Sequence, residues 1–175
     1  RLFSAAPALL AGAVALGVLS ACGDSGQGQG DVLLGKVADV LKPPKYTAHI
    51  SRTAHGIPHI KANDGGSLGY GVALAYAQDN FCLLANEIVT VNGERSRYFG
   101  PNALGGNKTA TNLQTDYFYR LINDEAAVAN AWSKHAPAMR ALVEGYVAGY
   151  NQYLSETGAA GLAADCKDAT WVRPI

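Results

Sequence analysis

At Asn63-Asp64-Gly65-Gly66 the hydrophobic period of this chain changes, and the change restricts the class of fold it can adopt. Ahead of it, Tyr46, Ala48 and Ile50 alternate with Thr47, His49 and Ser51, and Ile57 to Ala62 alternate again, which is the period-two pattern of strands. Thr53-Ala54-His55-Gly56 lies between the two runs as a turn in which Gly56 can take positive φ, so the spacing predicts a β-hairpin. Pro58 lacks an amide donor and belongs at a turn exit or a sheet edge. Beyond the change, Leu74, Ala77, Phe81, Leu84, Ile88 and Val91 recur three or four residues apart. That spacing predicts a long helix with Ser67 as its N-cap, ending near Asn92-Gly93 or running brokenly to Phe99 before Gly100-Pro101.

Downstream of a glycine- and asparagine-rich loop at Asn102 to Lys108, the residues Leu113, Tyr117, Leu121 and Ile122 predict a further helix. Asp124 is placed to cap another through Trp132. Pro137 opens a third, with Met139, Leu142, Val143, Tyr146, Val147, Tyr150 and Leu154 spaced for burial and Gly158 as its stop. The expected fold class is α+β, a short N-terminal hairpin followed by at least four helices. At 175 residues, 49% hydrophobic and 16% charged, the chain is long enough for one core of ordinary size. Its formal net charge of +0 offers no basic field, so nucleic acid is not an expected partner.

The N-terminal region reads differently. Leu2 to Gly23 carries no charge behind Arg1, and Leu9 to Leu19 is rich in alanine, leucine and valine, the layout of a secretory signal peptide over residues 1–22. Pro7, Gly12 and Gly17 make the run weakly hydrophobic, which favours export over a permanent membrane span. Leu19-Ser20-Ala21-Cys22 resembles a bacterial lipobox, which would make Cys22 a lipidation site and membrane tether; the alternative is an ordinary secreted protein cut nearby. Gly23 to Gly30 has the composition of a flexible stalk, and Val32, Leu33, Val37, Val40 and Leu41 predict a short helix over Asp31 to Lys42, so residues 23–44 form a tether and a short helix. Setting Cys22 aside leaves Cys82 and Cys166, for which a disulfide is favoured over two separately buried thiols. Both ends predict a fragment or processed subunit.

Motifs with chemistry of their own are few. His55 and His59 are four apart, but Gly56 and Pro58 between them keep the rings off a common helical face, which argues against metal. Gly69-Tyr70-Gly71 has Leu74 where a dinucleotide loop needs its third glycine, and these glycines are expected instead to let the long helix approach a neighbour closely. No phosphate-binding loop of the G-x-x-x-x-G-K-[ST] type occurs. Asp79, Glu87, Glu94, Arg95 and Arg97 read as ion-paired or solvated. Gln78-Asp79-Asn80 interrupts an apolar helix and is expected to pin neighbouring loops or a partner chain.

The block Arg52, Gly56-Ile57-Pro58-His59-Ile60, Gly69-Tyr70-Gly71 and Ala77-Gln78-Asp79 resembles the N-terminal signature of the penicillin acylase-like, N-terminal-nucleophile amidohydrolases. Gly145-Tyr146-Val147-Ala148-Gly149-Tyr150-Asn151 resembles that family's helix near the end of its α subunit. Asn80 stands where the family often has arginine. Asn92-Gly93-Glu94-Arg95-Ser96-Arg97-Tyr98-Phe99-Gly100 resembles the branch containing acyl-homoserine-lactone and aculeacin acylases, which favours a long aliphatic acyl chain as substrate.

The resemblance implies that residues 45–175 are the α-subunit portion of an αββα hydrolase, incomplete at its C-terminus. It implies a periplasmic or extracellular precursor that cuts itself into α and β subunits, with no cofactor. The catalytic serine would begin the β subunit, its own amine serving as base because an α-amine has a pKa near 8. Backbone and asparagine donors in β would hold the oxyanion of a small N-acyl substrate, and none of the catalytic residues would belong to this chain. A segment like Trp171 to Ile175 would come shortly before the helix that lines the acyl pocket. The rival expectation is a non-catalytic exported lipoprotein serving as a helical binding or scaffold domain.

Overall fold

Two strands open the fold. The structure is a computed structural model that describes residues 45–175 except Asn107. The readings for the signal segment 1–22, Cys22, the stalk and the helix at Asp31 to Lys42 lie outside the described residues. Strands β1 (His49–Arg52) and β2 (Pro58–Lys61) pair antiparallel with Ile50 opposite Ile60 and Arg52 opposite Pro58. Gly56 closes the turn at φ +81°, and its N–H donates to the Thr53 carbonyl at 2.9 Å. The hairpin therefore forms where the alternation and the glycine place it.

Helix α1 (Gly65–Val91) follows. Its N-cap is Asp64, not Ser67: the Asp64 carboxylate accepts from the Ser67 N–H at 2.7 Å and the Ser67 hydroxyl at 2.8 Å. These bonds to its charged form hold the Asp64 carboxyl below the usual carboxylate range. Gly65-Gly66, expected as loop, is thus the first turn. The buried surface also departs from the expected stripe. Gly66, Ser67, Gly69, Gly71, Ala73, Ala75 and Ala77 are buried along the first half, whereas Leu74, Leu84 and Ile88 are half-buried and Val91 is exposed. The cause is that α1 is covered on two sides at once, by the hairpin and by the last helix, so small residues are needed over a wide arc. At Asn80 the backbone leaves the helical region (φ −142°, ψ 33°), which kinks α1 and lets Phe81, Ala85 and Val89 become its inner face.

Gly93 at φ +63° turns the chain into the short helix α2 (Arg95–Phe99). Both expected endings of the long helix are therefore present, a stop at Asn92-Gly93 and a helical continuation to Phe99. Helix α3 (Asn112–Ile122) starts with a capping box, Thr111 with Gln114, and α4 (Glu125–Lys134) is capped by Asp124 as its sequence predicts. Helix α5 (Pro137–Gly161) carries a break at Gly158, φ +64°, where its end was expected. Met139 and Val143, expected inside, are 49% and 37% exposed, because the inner line of α5 runs instead through Gly145, Gly149 and Tyr150.

The core lies between α1 and α5. Phe81 stacks on Tyr150 at 4.9 Å between ring centroids and meets Tyr153 at 5.2 Å, with Ala77, Ala85, Leu162 and Cys166 closing around them. Burial pushes the Tyr150 phenol up to about 12. Cys82 and Cys166 are joined by a disulfide whose Cα atoms are 5.4 Å apart, tying the segment after α5 to the helix just beyond its kink.

Candidate functional site

The residues of the signature blocks gather at contacts between backbone elements. The closest approach is between α1 and α5. A Cβ on Gly145 would lie 1.8 Å from the Gly66 carbonyl oxygen, one on Gly69 would lie 2.0 Å from that of Leu142, and one on Gly149 would lie 2.4 Å from that of Tyr70. Gly71 faces the other way, toward the hairpin, where a Cβ would lie 2.6 Å from Ala48 and 2.7 Å from Ile60. The two glycines of Gly69-Tyr70-Gly71 therefore serve opposite neighbours, and only hydrogen fits at either. Between them Tyr70 stacks on Tyr46 at 6.1 Å, and burial raises its phenol above the ordinary value.

Arg52 joins the hairpin to the kink. Its guanidinium donates to the Gly56 carbonyl and to Asp79 Oδ2, both at 2.9 Å, and to the Ala75 carbonyl and Gln78 Oε1, both at 3.1 Å. Gln78 and Asp79 of the polar trio that interrupts α1 thus receive a planar fork of donors and pin the hairpin turn. Ile57 is 59% exposed, and His59 is exposed as well. Arg52→Ala should lower stability by about 1–3 kcal/mol, and Arg52→Lys should recover only part of it, because an ammonium cannot span four acceptors. Chemical denaturation of the two variants measures both.

A second node was not foreseen. Arg95, expected to be ion-paired or solvated, is 7% exposed and is held by neutral side chains. Its Nε donates to Asn112 Oδ1 at 2.9 Å and its Nη1 to Asn86 Oδ1 at 2.7 Å and Thr90 Oγ1 at 2.8 Å, while the guanidinium lies 4.9 Å from the centre of the Phe99 ring. Asp116 accepts the N–H groups of Arg95 and Ser96 at 2.8 and 2.7 Å and so caps α2 from outside. Asn112 and Asp116, one turn apart, make the inner side of α3 polar, and its apolar residues face outward, with Leu113, Tyr117 and Leu121 at 57%, 72% and 67% exposure. Gly93 packs against this node, its Cβ position 2.6 Å from Arg120 Cγ.

The third node holds the C-terminal strap. Glu94 pairs with the Arg173 guanidinium, which it holds charged, and Arg173 also donates to the Tyr98 hydroxyl at 2.9 Å. The Tyr150 hydroxyl donates to the Arg173 carbonyl at 3.2 Å. Asn151 donates to the Ile175 carbonyl at 2.8 Å and accepts its N–H at 2.9 Å, so a side-chain amide grips both backbone groups of one residue. Sequence spacing could suggest the glycines, but no local pattern announces partners such as Arg95 with Asn112 or Glu94 with Arg173.

These nodes position backbone. His49, His55, His59 and His135 are all exposed, and among the described residues no group of three or more His, Cys, Asp or Glu is gathered for a metal ion. What the arrangement can do is hold a hairpin, two long helices and a strap in fixed relation.

Similarity to known proteins identifies the scaffold. The chain is 51% identical over 128 residues to the acyl-homoserine lactone acylase PvdQ of Pseudomonas syringae pv. tomato, which is 73% of this chain and 16% of that protein. It is 51% identical over 139 residues to PvdQ of Pseudomonas fluorescens, covering 79% and 18% of the two. Against the aculeacin-A acylase of Actinoplanes utahensis the identity is 38% over 133 residues, 74% of this chain and 17% of the relative. The chain thus spans less than a fifth of the length of these curated relatives. The thermostable penicillin G acylase from Alcaligenes faecalis shares the fold, with a TM-score of 0.60 at 23% identity over 75% of this chain and 67% of that one. The sequence profile of penicillin amidase matches residues 47–171, from the first strand to the strap, and the chain belongs to the penicillin amidase family.

Proposed function

We propose that this chain is the N-terminal, non-catalytic α-subunit portion of an exported amidohydrolase that matures by cutting itself and cleaves the linear amide of an N-acylated small molecule. The observation that carries this reading is the use of the signature residues. Arg52, Gly69, Gly71, Gln78, Asp79, Gly145 and Gly149 are all engaged in internal contacts that shape backbone. Chemistry is therefore assigned to a partner, the β subunit from the same precursor, through the serine and amine that the family resemblance implies.

The outward apolar face of α3, with Phe118 at 53% exposure beside Leu113, Tyr117 and Leu121, supports a large partner, since isolated globular domains seldom leave such a patch open. Two of these relatives are named for acyl-homoserine lactones and one for aculeacin A, which supports an N-acylated small molecule as substrate, and the resemblance of Asn92 to Gly100 to that branch supports a long aliphatic acyl chain. A periplasmic or extracellular site is supported by the uncharged run behind Arg1 and by the disulfide.

The test is to express the full-length precursor and assay acyl-homoserine lactones of graded chain length beside β-lactams. The expected result is two chains on a denaturing gel and release of homoserine lactone, fastest from long acyl groups. Processing without hydrolysis of any N-acyl compound would overturn the substrate class, and turnover by residues 45–175 alone would overturn the assignment of chemistry to β.

A further inference from the structure

We propose that the node around Arg95 holds a binding site of its own, a pit between α1, α2 and α3 that takes a small zwitterion bearing one carboxylate and one ammonium. The proposal goes beyond the amidase reading and does not depend on it. The pit has a volume of about 150 Å³, and its lining includes Glu87 and Thr90 of α1, Arg95 of α2, and Thr115 and Tyr119 of α3. With about 30 Å³ for each water it has room for about five, or for one molecule of that size.

Arg95 makes this pit more than a gap in the packing. The residue is 7% exposed, and its Nε and Nη1 donors are taken by Asn112, Asn86 and Thr90, which leaves the two N–H groups of Nη2 with no acceptor among the described residues. None of those three partners is charged. Asp116 spends its carboxylate oxygens on the N–H groups of Arg95 and Ser96 and receives nothing from the guanidinium. A buried cation with an open donor is costly, and a carboxylate that reaches Nη2 relieves that cost through a charge-assisted bond.

The opposite charge stands in the same pit. Glu87 is exposed and lines it, yet no ion pair joins Glu87 to Arg95 among the described residues. The threonines strengthen the accepting side. Thr90 donates its hydroxyl proton to the Asn86 carbonyl at 2.9 Å and Thr115 donates its own to the Thr111 carbonyl at 3.0 Å, so each can offer a ligand only lone pairs. A simple cation is opposed by Arg95, and a simple anion is opposed by Glu87. A molecule with both charges is opposed by neither: its carboxylate takes Nη2, and its ammonium lies toward Glu87 and a threonine oxygen. The volume admits an amino acid as small as glycine or homoserine and excludes one as large as tryptophan.

Calorimetric titration of the full-length protein with glycine, L-homoserine, L-tryptophan, acetate and methylammonium tests this, beside Glu87→Gln and Arg95→Lys, with the melting midpoint of each variant recorded. The expected result is saturable binding of glycine and homoserine, no binding of the other three at equal concentration, and at least tenfold weaker binding in Glu87→Gln at an unchanged midpoint. Arg95→Lys should weaken binding as well; Arg95 also supports the fold, so Glu87→Gln decides if that variant does not fold. Absence of binding of either small amino acid to the folded wild type overturns the site. Acetate bound as tightly as glycine overturns the zwitterion as its ligand. Affinity unchanged in Glu87→Gln places the bound molecule elsewhere and overturns the assignment to this pit. Every readout is binding without turnover, so failure of the amidase reading and failure of this one are told apart.

Discussion

Gly145→Ala should lower the stability of the folded protein by about 3 kcal/mol, and Gly145→Val should abolish soluble protein altogether. Alanine in place of glycine inside a helix is ordinarily worth about 0.5–1 kcal/mol in the favourable direction. Here the sign reverses, because the new methyl would lie 1.8 Å from a backbone oxygen of Gly66. A flexible side chain could swing aside, but a carbonyl inside α1 moves only if the whole helix moves. Separating α1 from α5 would also loosen the contacts at Gly69 and Gly149, which share the same seam. Gly65→Ala is the matched control, since its added carbon would sit 3.6 Å from the Ala138 carbonyl in ordinary contact, and it should leave stability unchanged or slightly raised. Denaturation midpoints of the two variants decide the matter: equal midpoints would mean that the helices do not touch where the structure places them.

Removing the crosslink has the other large effect. Cys82→Ala with Cys166→Ala should cost about 4 kcal/mol, because the bond joins residues 84 apart and so restricts the unfolded chain over a long loop. The double substitution avoids leaving one reactive thiol. The strap beyond α5 should suffer most, since Leu162 and Cys166 enter the core there. Amide hydrogen exchange of the full-length variant should show lost protection over residues 162–175 before any loss at the Phe81–Tyr150 stack. Uniform loss would show that the bond stabilises the fold as a whole and not the strap in particular.

How far the sequence foretold this structure depended on the range of the forces involved. The hairpin was legible because alternation and Gly56 act within a few residues. Asp124 and Pro137 were legible for the same reason. At the start of α1 two residues with capping side chains stand three apart, and the pattern favoured Ser67 because Gly65-Gly66 resembles loop; only the contact of Gly66 with Tyr46 and the Ala141 carbonyl explains glycine inside the first turn. The orientation of α3 was hidden more deeply. Its apolar spacing is real, yet Arg95 needs Asn112 inside and the amides at the start of α2 need Asp116 there, so the polar side faces in. Those partners are separated by 17 and 21 residues, and Arg173 and Glu94 by 79, distances at which no periodicity carries information. The signature residues were recognised as a pattern, and their purpose became visible only as contacts between backbone segments.

The bond between Cys82 and Cys166 also gives the molecule a covalent topology. Everything from the kinked half of α1 through α5 is a closed ring, and the hairpin with the first half of α1 is a branch outside it. A protease that cuts the glycine-rich connection at 102–110 therefore opens the ring without releasing a piece. The two parts part company only under reducing conditions, so a chain nicked in that connection and an intact one differ on a gel with thiol present and stay covalently whole without it.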